Sequence, residues 1–406
     1  MQFLSLYASL RGMSAYHGLK QEPIMKQAIQ LVGELGARRG GAALDAYTEL
    51  FYRLRKAGFT GLGEWLSDHL RYTETPYAVL AERNGSDPAL ENAARRELDI
   101  LVELSCLDCD VYINAMRELL GEEYEQALAS LPRWRAWAPF DFDSLTWFYR
   151  ENGCGLYAKY RAFLWEDGKL IPVDDPDCPR PEDLLGYELQ RNQVEANTRH
   201  MMEGHRTNNV LLFGDGGTGK SAAVKSMLYL PGMDDLRLIE IQKENITGLP
   251  TLIRSLSGLR HKFILFIDDL AFDQDDKAYS SMKTILEGSL EKRPANVAIY
   301  ATSNRRHLVR QTFTERAGEE VDTFETISEK TALAERFGLR IAYLTMNKMS
   351  YLDLVDYLAV RAGITMPMAE LHAQAMKWEI RHAGRTPRVA QQFIASLNEY
   401  SINERS

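Results

Sequence analysis

The sequence predicts an α/β domain with a parallel sheet of five strands, preceded by an all-α domain and followed by a small helical lid. Three observations support this prediction. Apolar residues follow a helical period up to about residue 170, a segment rich in Pro and Asp breaks that pattern, and strand-length apolar runs then alternate with helical segments. We place the helical domain at residues 1–175, the α/β core at 176–346 and the lid at 347–406.

The segment AALDAYTELFYRLRKAG is typical of the first domain. Its residues Leu44, Tyr47, Phe51 and Leu54 share one helical face, and Gly58 suits the end of the helix. Towards the end of this domain, tryptophans are interspersed with Phe and Tyr. An aromatic-rich core is the favoured interpretation, and a platform on which nucleic-acid bases stack is the alternative. The tryptophans concerned are Trp134, Trp137, Trp147 and Trp165.

The α/β core follows the segment IPVDDPDCPRP, whose prolines cannot continue a helix. Apolar runs of strand length separated by helical segments are typical of buried parallel strands joined by crossover helices. These runs are VLLFG, LRLIEI, FILFIDD, VAIYATSN and RIAYLTM. The lid is predicted from the helical patterns SYLDLVDYLAVRAG and RTPRVAQQFIASLNEY.

Composition narrows the function classes. The 48 Lys and Arg residues against 57 Asp and Glu residues give a net charge of −9, which provides no general attraction to nucleic acid. No apolar run reaches the roughly 18 residues that a membrane span needs. The N-terminal residues lack a basic n-region and a small-residue cleavage site, so we expect a cytoplasmic protein without membrane partners.

The four cysteines are too sparse for a disulfide framework in a chain of 406 residues. Cys106 and Cys109 form a single CxxC motif, which could supply only half of a zinc site. Reduced thiols are therefore the favoured interpretation over a metal site.

The strongest chemical motif is GDGGTGKS at Gly214–Ser221, which matches the pattern G-x-x-x-x-G-K-[ST] between a strand and a helical run. Glycines at these positions let successive backbone N–H groups converge on phosphates. Lys220 is expected to contact the β and γ phosphates of a nucleotide, and the hydroxyl of Ser221 to bind magnesium. The alternative, a glycine-rich turn without a ligand, does not explain the complete match.

A second motif places Asp268 and Asp269 directly after the apolar run FILFI. The carboxyl end of a parallel strand is where such sheets bind ligands, and carboxylates there suit a divalent cation. We assign Asp268 to magnesium and Asp269 to polarising the attacking water. Two aspartates that merely begin a turn are the alternative.

These residues resemble the AAA+ superfamily of ATPases, and most closely the bacterial family of domain of unknown function 815. The resemblance extends over about residues 180–400. It is carried by DLLGYELQRNQVEANTRHMMEG, NNVLLFGDGGTGKS, KFILFIDDL, VAIYATSNRRHLV, AERFGL and GRTPRVAQQF.

The resemblance implies roles for further polar residues. Asn304 corresponds to a polar sensor near the γ-phosphate, and Arg336 to an arginine finger inserted into the ATP site of a neighbouring subunit. Arg388 corresponds to a lid arginine that reaches the γ-phosphate, a role that Arg385 could share. Asp269 departs from the glutamate of most AAA+ hydrolases, a difference that does not exclude hydrolysis and that leaves its rate open. Glu287 is a fallback carboxylate, and an exposed helical glutamate is the favoured interpretation of that residue.

Leu184–Tyr187 resembles the segment that borders the adenine base. A plain helix start is the alternative interpretation. The cofactors expected are ATP and magnesium, with Ser221 and Asp268 as metal ligands and Asp269, Asn304, Arg336 and Arg388 as catalytic residues. The nucleotide-binding residues are predicted to be Leu185, Gly186, Tyr187, Gly214, Asp215, Gly216, Gly217, Thr218, Gly219, Lys220, Ser221 and Ala222.

Three function classes remain open from the sequence. The favoured one is an ATPase that forms a homo-oligomer, such as a hexamer, and remodels a protein client. Threading is not favoured because KENITGLPTLIRSL lacks an aromatic residue. A DNA-handling motor is the second class, and a nucleotide-gated scaffold with little hydrolysis is the third. Two basic clusters could contact nucleic acid, although the favoured interpretation is that the first faces nucleotide or a neighbouring subunit and the second is a solvated surface. They are Arg305, Arg306, His307 and Arg310, and Arg254, Arg260, His261 and Lys262.

Overall fold

The structure is a computed structural model that describes residues 2–272, 277–287, 293–304, 333–382 and 384–403. It divides into two compact units, Met1–Lys159 and Tyr160–Ser406. Among the described residues, no helix is both long enough and apolar enough to cross a membrane.

The first unit consists of helices around one apolar core. Its longest helix begins at Pro88, where the missing N–H of proline costs nothing, and the side chain of Asp87 accepts hydrogen bonds from Ala89 N and Leu90 N. The helices are α1 Gln2–Arg11, α2 Pro23–Gly36, α3 Gly40–Lys56, α4 Leu62–Tyr72, α5 Pro76–Glu82, α6 Pro88–Cys106, α7 Cys109–Arg117, α8 Glu125–Ala129, α9 Phe142–Asn152 and α10 Gly155–Lys159.

Helix α3 confirms the helical interpretation of its segment. Tyr47 and Leu54 are buried, Leu44 and Phe51 pack against the same core, and Gly58 follows the helix with a φ of 85°. The left-handed conformation at Gly58 is one that glycine adopts without steric cost, which explains why the helix ends there.

The aromatic residues of this region contribute mainly to cores. Trp134 is buried with its ring 4.6 Å from that of Tyr47, whereas Trp147 is 64% exposed. The sulfur of Cys109 accepts a hydrogen bond from Trp134 N, so this cysteine belongs to the core. No group of three His, Cys, Asp or Glu side chains arranged to hold a metal ion occurs in the described part of the chain.

The second unit contains a seven-stranded sheet in the order β2-β1-β4-β5-β6-β3-β7, in which only the β1–β2 pair is antiparallel. The predicted α/β class is confirmed, and the five predicted strands are β3 to β7. The strands are β1 Ala162–Glu166, β2 Lys169–Val173, β3 Val210–Gly214, β4 Leu236–Ile241, β5 Lys262–Ile267, β6 Val297–Ser303 and β7 Leu339–Tyr343. The helices associated with them are α11 Glu188–Met202, α12 Lys220–Lys225, α13 Leu249–Leu256 and α14 Lys277–Glu287.

The predicted count of five strands was wrong because the β1–β2 hairpin was assigned to the helical domain. Its turn is Asp167-Gly168, with φ values of 47° and 77°. Two positive φ values in a two-residue loop are typical of tight hairpin turns, and an Asp-Gly pair is a strong sequence signal for one. Because β1 pairs with β4, the hairpin belongs to the second unit, and the boundary predicted at residue 175 falls inside that unit.

The chain ends in three helices that share a separate apolar core. They are α15 Lys348–Arg361, α16 Met368–Arg381 and α17 Pro387–Asn403. The Asn347 side chain caps α15 by accepting a hydrogen bond from Ser350 N at 2.9 Å. The linker from β7 therefore turns into the lid immediately beyond the carboxyl end of the sheet.

Candidate nucleotide-binding site

The phosphate loop connects β3 to α12 at the carboxyl end of an interior strand. Gly214 has a φ of 131°, and a Cβ atom there would lie 2.2 Å from the carbonyl oxygen of Tyr343. Only glycine can therefore end β3 this close to β7. Gly219 has a φ of 91° where the loop enters α12. The glycine positions of the motif thus meet specific backbone demands of a phosphate loop.

Lys220 is buried at the base of this loop, with 6% of its surface exposed. Its Nζ atom donates to Gly214 O at 3.1 Å, Asp215 O at 2.7 Å and Asn304 Oδ1 at 3.0 Å. Burial lowers the pKa of the ammonium group, and nearby aspartates oppose that change. A buried cation held only by neutral oxygens is well placed to exchange them for phosphate oxygens.

Ser221 and Asp268 are in contact, as a shared metal site requires. Ser221 Oγ donates to Asp268 Oδ1 at 2.6 Å, and the hydroxyl of Thr302 donates to the same oxygen. A hydroxyl and a carboxylate are hard oxygen ligands that suit magnesium, which keeps its other positions for water and phosphate. The donor set at the end of β5 and the start of α12 therefore fits this cation.

Asp269 and Asn304 also form a direct contact. Asn304 Nδ2 donates to Asp269 Oδ1 at 2.9 Å, while Asn304 Oδ1 accepts from Lys220. Asp269 has a φ of 50°, and its backbone N–H donates to Thr302 Oγ1 at 3.0 Å. The amide of Asn304 thus bridges the phosphate-loop lysine and the carboxylate assigned to water activation.

Thr302 is a site residue that sequence analysis missed. It lies on β6, two residues before Asn304, which follows that strand. Both side chains contact Asp269, Thr302 through Oγ1 and Asn304 through Nδ2. This spacing was a usable signal, because β6 lies between β5, which carries the aspartates, and β3, which carries the phosphate loop.

We expect Thr302→Val to lower ATP turnover by roughly 10-fold, because the lost hydroxyl is one of the groups that fix Asp268 and Asp269. Asp268 keeps its bond from Ser221 Oγ, and Asp269 N keeps its contact with Asp268 Oδ1. Valine keeps the shape of threonine on a buried strand, so the melting temperature should change little. Steady-state turnover of Thr302→Val and Thr302→Ser measures the effect. If serine, which keeps the hydroxyl, does not recover more turnover than valine, the hydroxyl is not the active feature.

The predicted base-binding segment lines a cavity of about 240 Å³ next to the phosphate loop. Tyr187 has a φ of 57°, donates its OH to Leu344 O at 2.6 Å and lies 5.0 Å from the ring of Tyr343. Apolar, aromatic and polar side chains share the walls of this cavity, and the phosphate loop lies at one end, an arrangement that suits a nucleotide. The cavity is lined by Leu185, Gly186, Tyr187, Gly217, Thr218, Gly219, Ala222 and Arg388, among others.

The structure distinguishes the two lid arginines. Arg388 N lies 3.4 Å from Gly217 O, and its side chain lines the cavity beside the phosphate loop. Arg385 instead lies 3.3 Å from the carboxylate of Glu379 within the lid. Arg388 is therefore the lid arginine that lies at the predicted nucleotide site.

Arg336 lies away from the other predicted residues. It is exposed and precedes β7, whereas Tyr343 at the other end of β7 pairs with Gly214 of the phosphate loop. A strand of this length spans roughly 16 Å, so Arg336 is far from the phosphate loop of its own chain.

The two basic clusters and Glu287 were also named from the sequence, and none of them has a described contact with the site. The basic cluster at 305–310 lies outside the described residues, as does the side chain of Glu287. In the second cluster, His261 is buried and Arg260 lies 3.3 Å from Asp235, so these residues do not form a continuous exposed basic surface.

Adjacent parallel strands end in a phosphate loop, a carboxylate pair and a polar side chain, and a helical lid follows the sheet. These features define a P-loop protein of the AAA+ class. The chain belongs to the DUF815 family: the family model, described as a protein of unknown function, matches residues 158–400.

Solved structures with a similar fold include RuvB from Thermotoga maritima. The RuvB Holliday junction branch migration motor has a TM-score of 0.38 at 15% identity, covering 56% of this chain and 66% of that chain. A mutant of the same protein has a TM-score of 0.39 at 16% identity, covering 56% and 67% of the two chains. None of the curated proteins matches this chain significantly.

Proposed function

We propose that this protein binds ATP with magnesium, hydrolyses it, and couples the cycle to a conformational change in a homo-oligomer that remodels a protein partner. The observation that carries the proposal is the bridge from Lys220 through Asn304 to Asp269, next to the contact between Ser221 and Asp268. Together these groups supply an ammonium group that can bind phosphate, a site for the metal ion and a carboxylate, all close to one loop.

Each side chain has a task in such a reaction. Lys220 leaves its carbonyl partners to bind the β and γ phosphates, and Arg388 approaches the γ-phosphate from the lid. Bound magnesium would neutralise phosphate charge at Ser221 and Asp268. Asp269 accepts a proton from the attacking water, oriented by the Asn304 amide.

Asp269 is one methylene shorter than glutamate, and its backbone conformation bears on this difference. Its positive φ and the hydrogen bond to Asn304 fix the direction of the carboxylate. Aspartate adopts this left-handed conformation more readily than most residues, so the turn after β5 holds Asp269 without replacing it by glycine. The geometry therefore supports hydrolysis by an aspartate in this position.

Support for a protein client is less direct. The first unit has its own apolar core, which suits a recruiting domain beside a motor. From its start through Arg180 the chain has 20 basic and 27 acidic residues, which does not favour nucleic acid as the partner.

The proposal is tested by magnesium-dependent ATP turnover as a function of protein concentration. We expect turnover per subunit to rise with concentration, and Asp269→Asn to lower it by about 100-fold or more without weakening ATP binding. Asp353→Asn, at an exposed lid aspartate, is the control. Tight ATP binding with no turnover in the unmodified protein would contradict the hydrolase and favour a nucleotide-gated scaffold.

A further inference from the structure

Asp215 is the one acidic residue in the motif Gly214–Ser221. A carboxylate beside a triphosphate site repels the ligand and weakens its binding, so an aspartate in this position must serve another purpose. Its hydrogen bonds indicate what that purpose is.

The side chain of Asp215 binds the linker between β7 and the lid. Its Oδ2 atom accepts a hydrogen bond from Thr345 N at 2.7 Å. The next linker residue, Met346, donates its N–H to Arg385 O at 2.9 Å, just before α17. A bond between a carboxylate and a backbone N–H is stronger than one between neutral groups, so Asp215 is a firm attachment point for the linker.

The backbone of Asp215 forms hydrogen bonds with residues of the phosphate loop and of β7. Its carbonyl oxygen accepts from Lys220 Nζ at 2.7 Å and from Thr218 Oγ1 at 2.9 Å, while its N–H donates to Tyr343 O at 2.9 Å. One residue therefore contacts the lid linker through its side chain and the phosphate-binding lysine through its carbonyl group.

The lid returns to the same loop at a second point. Arg388 N lies 3.4 Å from Gly217 O at the start of α17, and a Cβ atom added at Gly217 would lie 3.2 Å from Arg388 Cβ. The lid therefore contacts the loop at two points, Asp215 and Gly217, through which a movement of the lid would act on the loop.

We propose that Asp215 is a positioning residue that couples the lid to Lys220, so that the lid sets the geometry of the bound phosphates. The proposal rests on the ATPase function proposed above. The hydrogen-bond acceptor of Asp215 performs the coupling, and its negative charge reduces affinity for ATP. Binding and turnover should therefore respond in opposite directions when Asp215 is replaced.

The test measures ATP affinity and turnover for the full chain with Asp215→Ala and Asp215→Asn. Asp215→Ala removes both the charge and the acceptor. We expect its turnover to fall by about 10-fold, because a small misplacement of a phosphate contact has an effect of this size or larger. Its dissociation constant for ATP should fall by about 3-fold, because one repulsive charge near the phosphates is removed.

Asp215→Asn removes the charge but keeps a carbonyl oxygen that can accept from Thr345 N. It should share the tighter ATP binding of the alanine variant and recover most of the lost turnover. The matched control is Asp353→Ala, which removes an exposed aspartate from the lid helix α15.

The outcomes separate the two proposals. If the unmodified protein neither binds nor hydrolyses ATP, the proposed function fails. If the unmodified protein is active, three results would overturn the coupling role of Asp215. They are full turnover in Asp215→Ala, weaker ATP binding in Asp215→Ala, and turnover in Asp215→Asn no higher than in Asp215→Ala. Turnover lost in alanine and recovered in asparagine, with tight binding in both, supports it.

Discussion

Lys220→Ala is expected to weaken ATP binding by about 100-fold or more. Hydrogen bonds to charged groups contribute about 1.5–3 kcal/mol each, and Lys220 is placed to make at least two with the β and γ phosphates. Among the non-glycine residues of Gly214–Ser221 this effect should be the largest, because Lys220 is the only cationic side chain there.

The same substitution should not destabilise the protein without nucleotide. Burial lowers the pKa of Lys220, which means that the folded state disfavours its charged form. Removing that charge therefore relieves a penalty while it leaves Gly214 O, Asp215 O and Asn304 Oδ1 without this donor. We expect these two effects largely to offset each other in the melting temperature.

The measurement is a titration of ATP against Lys220→Ala by calorimetry, with Lys225→Ala as the matched control. Lys225 lies on the same short helix but pairs with Glu240 at 2.9 Å. Loss of ATP binding in Lys220→Ala, with binding retained in Lys225→Ala, would assign Lys220 to the nucleotide site. Equal loss in both variants would indicate general damage to α12, and binding within 3-fold of the unmodified protein would contradict the phosphate-loop assignment.

Much of the site could be predicted because its residues are adjacent in sequence to the strands that position them. Lys220, Asp268 and Asn304 each follow an apolar run, and parallel strands bring their carboxyl ends to one edge of the sheet. The identity of the side chains together with the strand direction was enough to place them near one another.

Other contacts depend on residues that are far apart in sequence and have no local pattern. Asp215 and Thr345 are 130 residues apart, and nothing near either residue indicates that they meet. In the first unit, buried Glu97 accepts hydrogen bonds from Ser14 N and Tyr16 N, which are 83 and 81 residues away. Such pairs arise from the packing of whole elements, which periodicity alone does not specify.

The β1–β2 hairpin is a different kind of miss, because a local signal was present. The pair Asp167-Gly168 lies between two short apolar runs, but the surrounding aromatic residues suggested a helical domain. Trp165 is buried on β1. Aromatic residues pack equally well in helical and sheet cores, so the turn residues were the better guide.

Arg336→Ala is expected to leave ATP binding intact and to lower turnover by roughly 10³-fold, the size of effect that an arginine supplied to a phosphoryl-transfer site can have. Within one chain, Arg336 and the phosphate loop lie at opposite ends of β7. If Arg336 acts on the γ-phosphate, it must therefore act on the site of a neighbouring copy.

That requirement can be tested by mixing two inactive variants. Arg336→Ala subunits keep an intact nucleotide site, and Asp269→Asn subunits keep an intact Arg336. In a mixed oligomer, an Asp269→Asn subunit can supply its arginine to the site of an Arg336→Ala neighbour, so turnover should reappear on mixing. Arg340→Ala, at an exposed arginine on β7, is the control for disturbance of the edge strand.

The mixing result discriminates between action in trans and a local structural role. Recovered turnover that increases with total protein concentration requires a site shared between subunits, and it assigns the arginine and the carboxylate to different chains. If both variants stay inactive at every ratio while size measurements show that they assemble together, Arg336 does not complete a neighbouring site. Full turnover in Arg336→Ala alone would remove this residue from the catalytic set, and hydrolysis would then rely on Lys220 and Arg388 of the same chain.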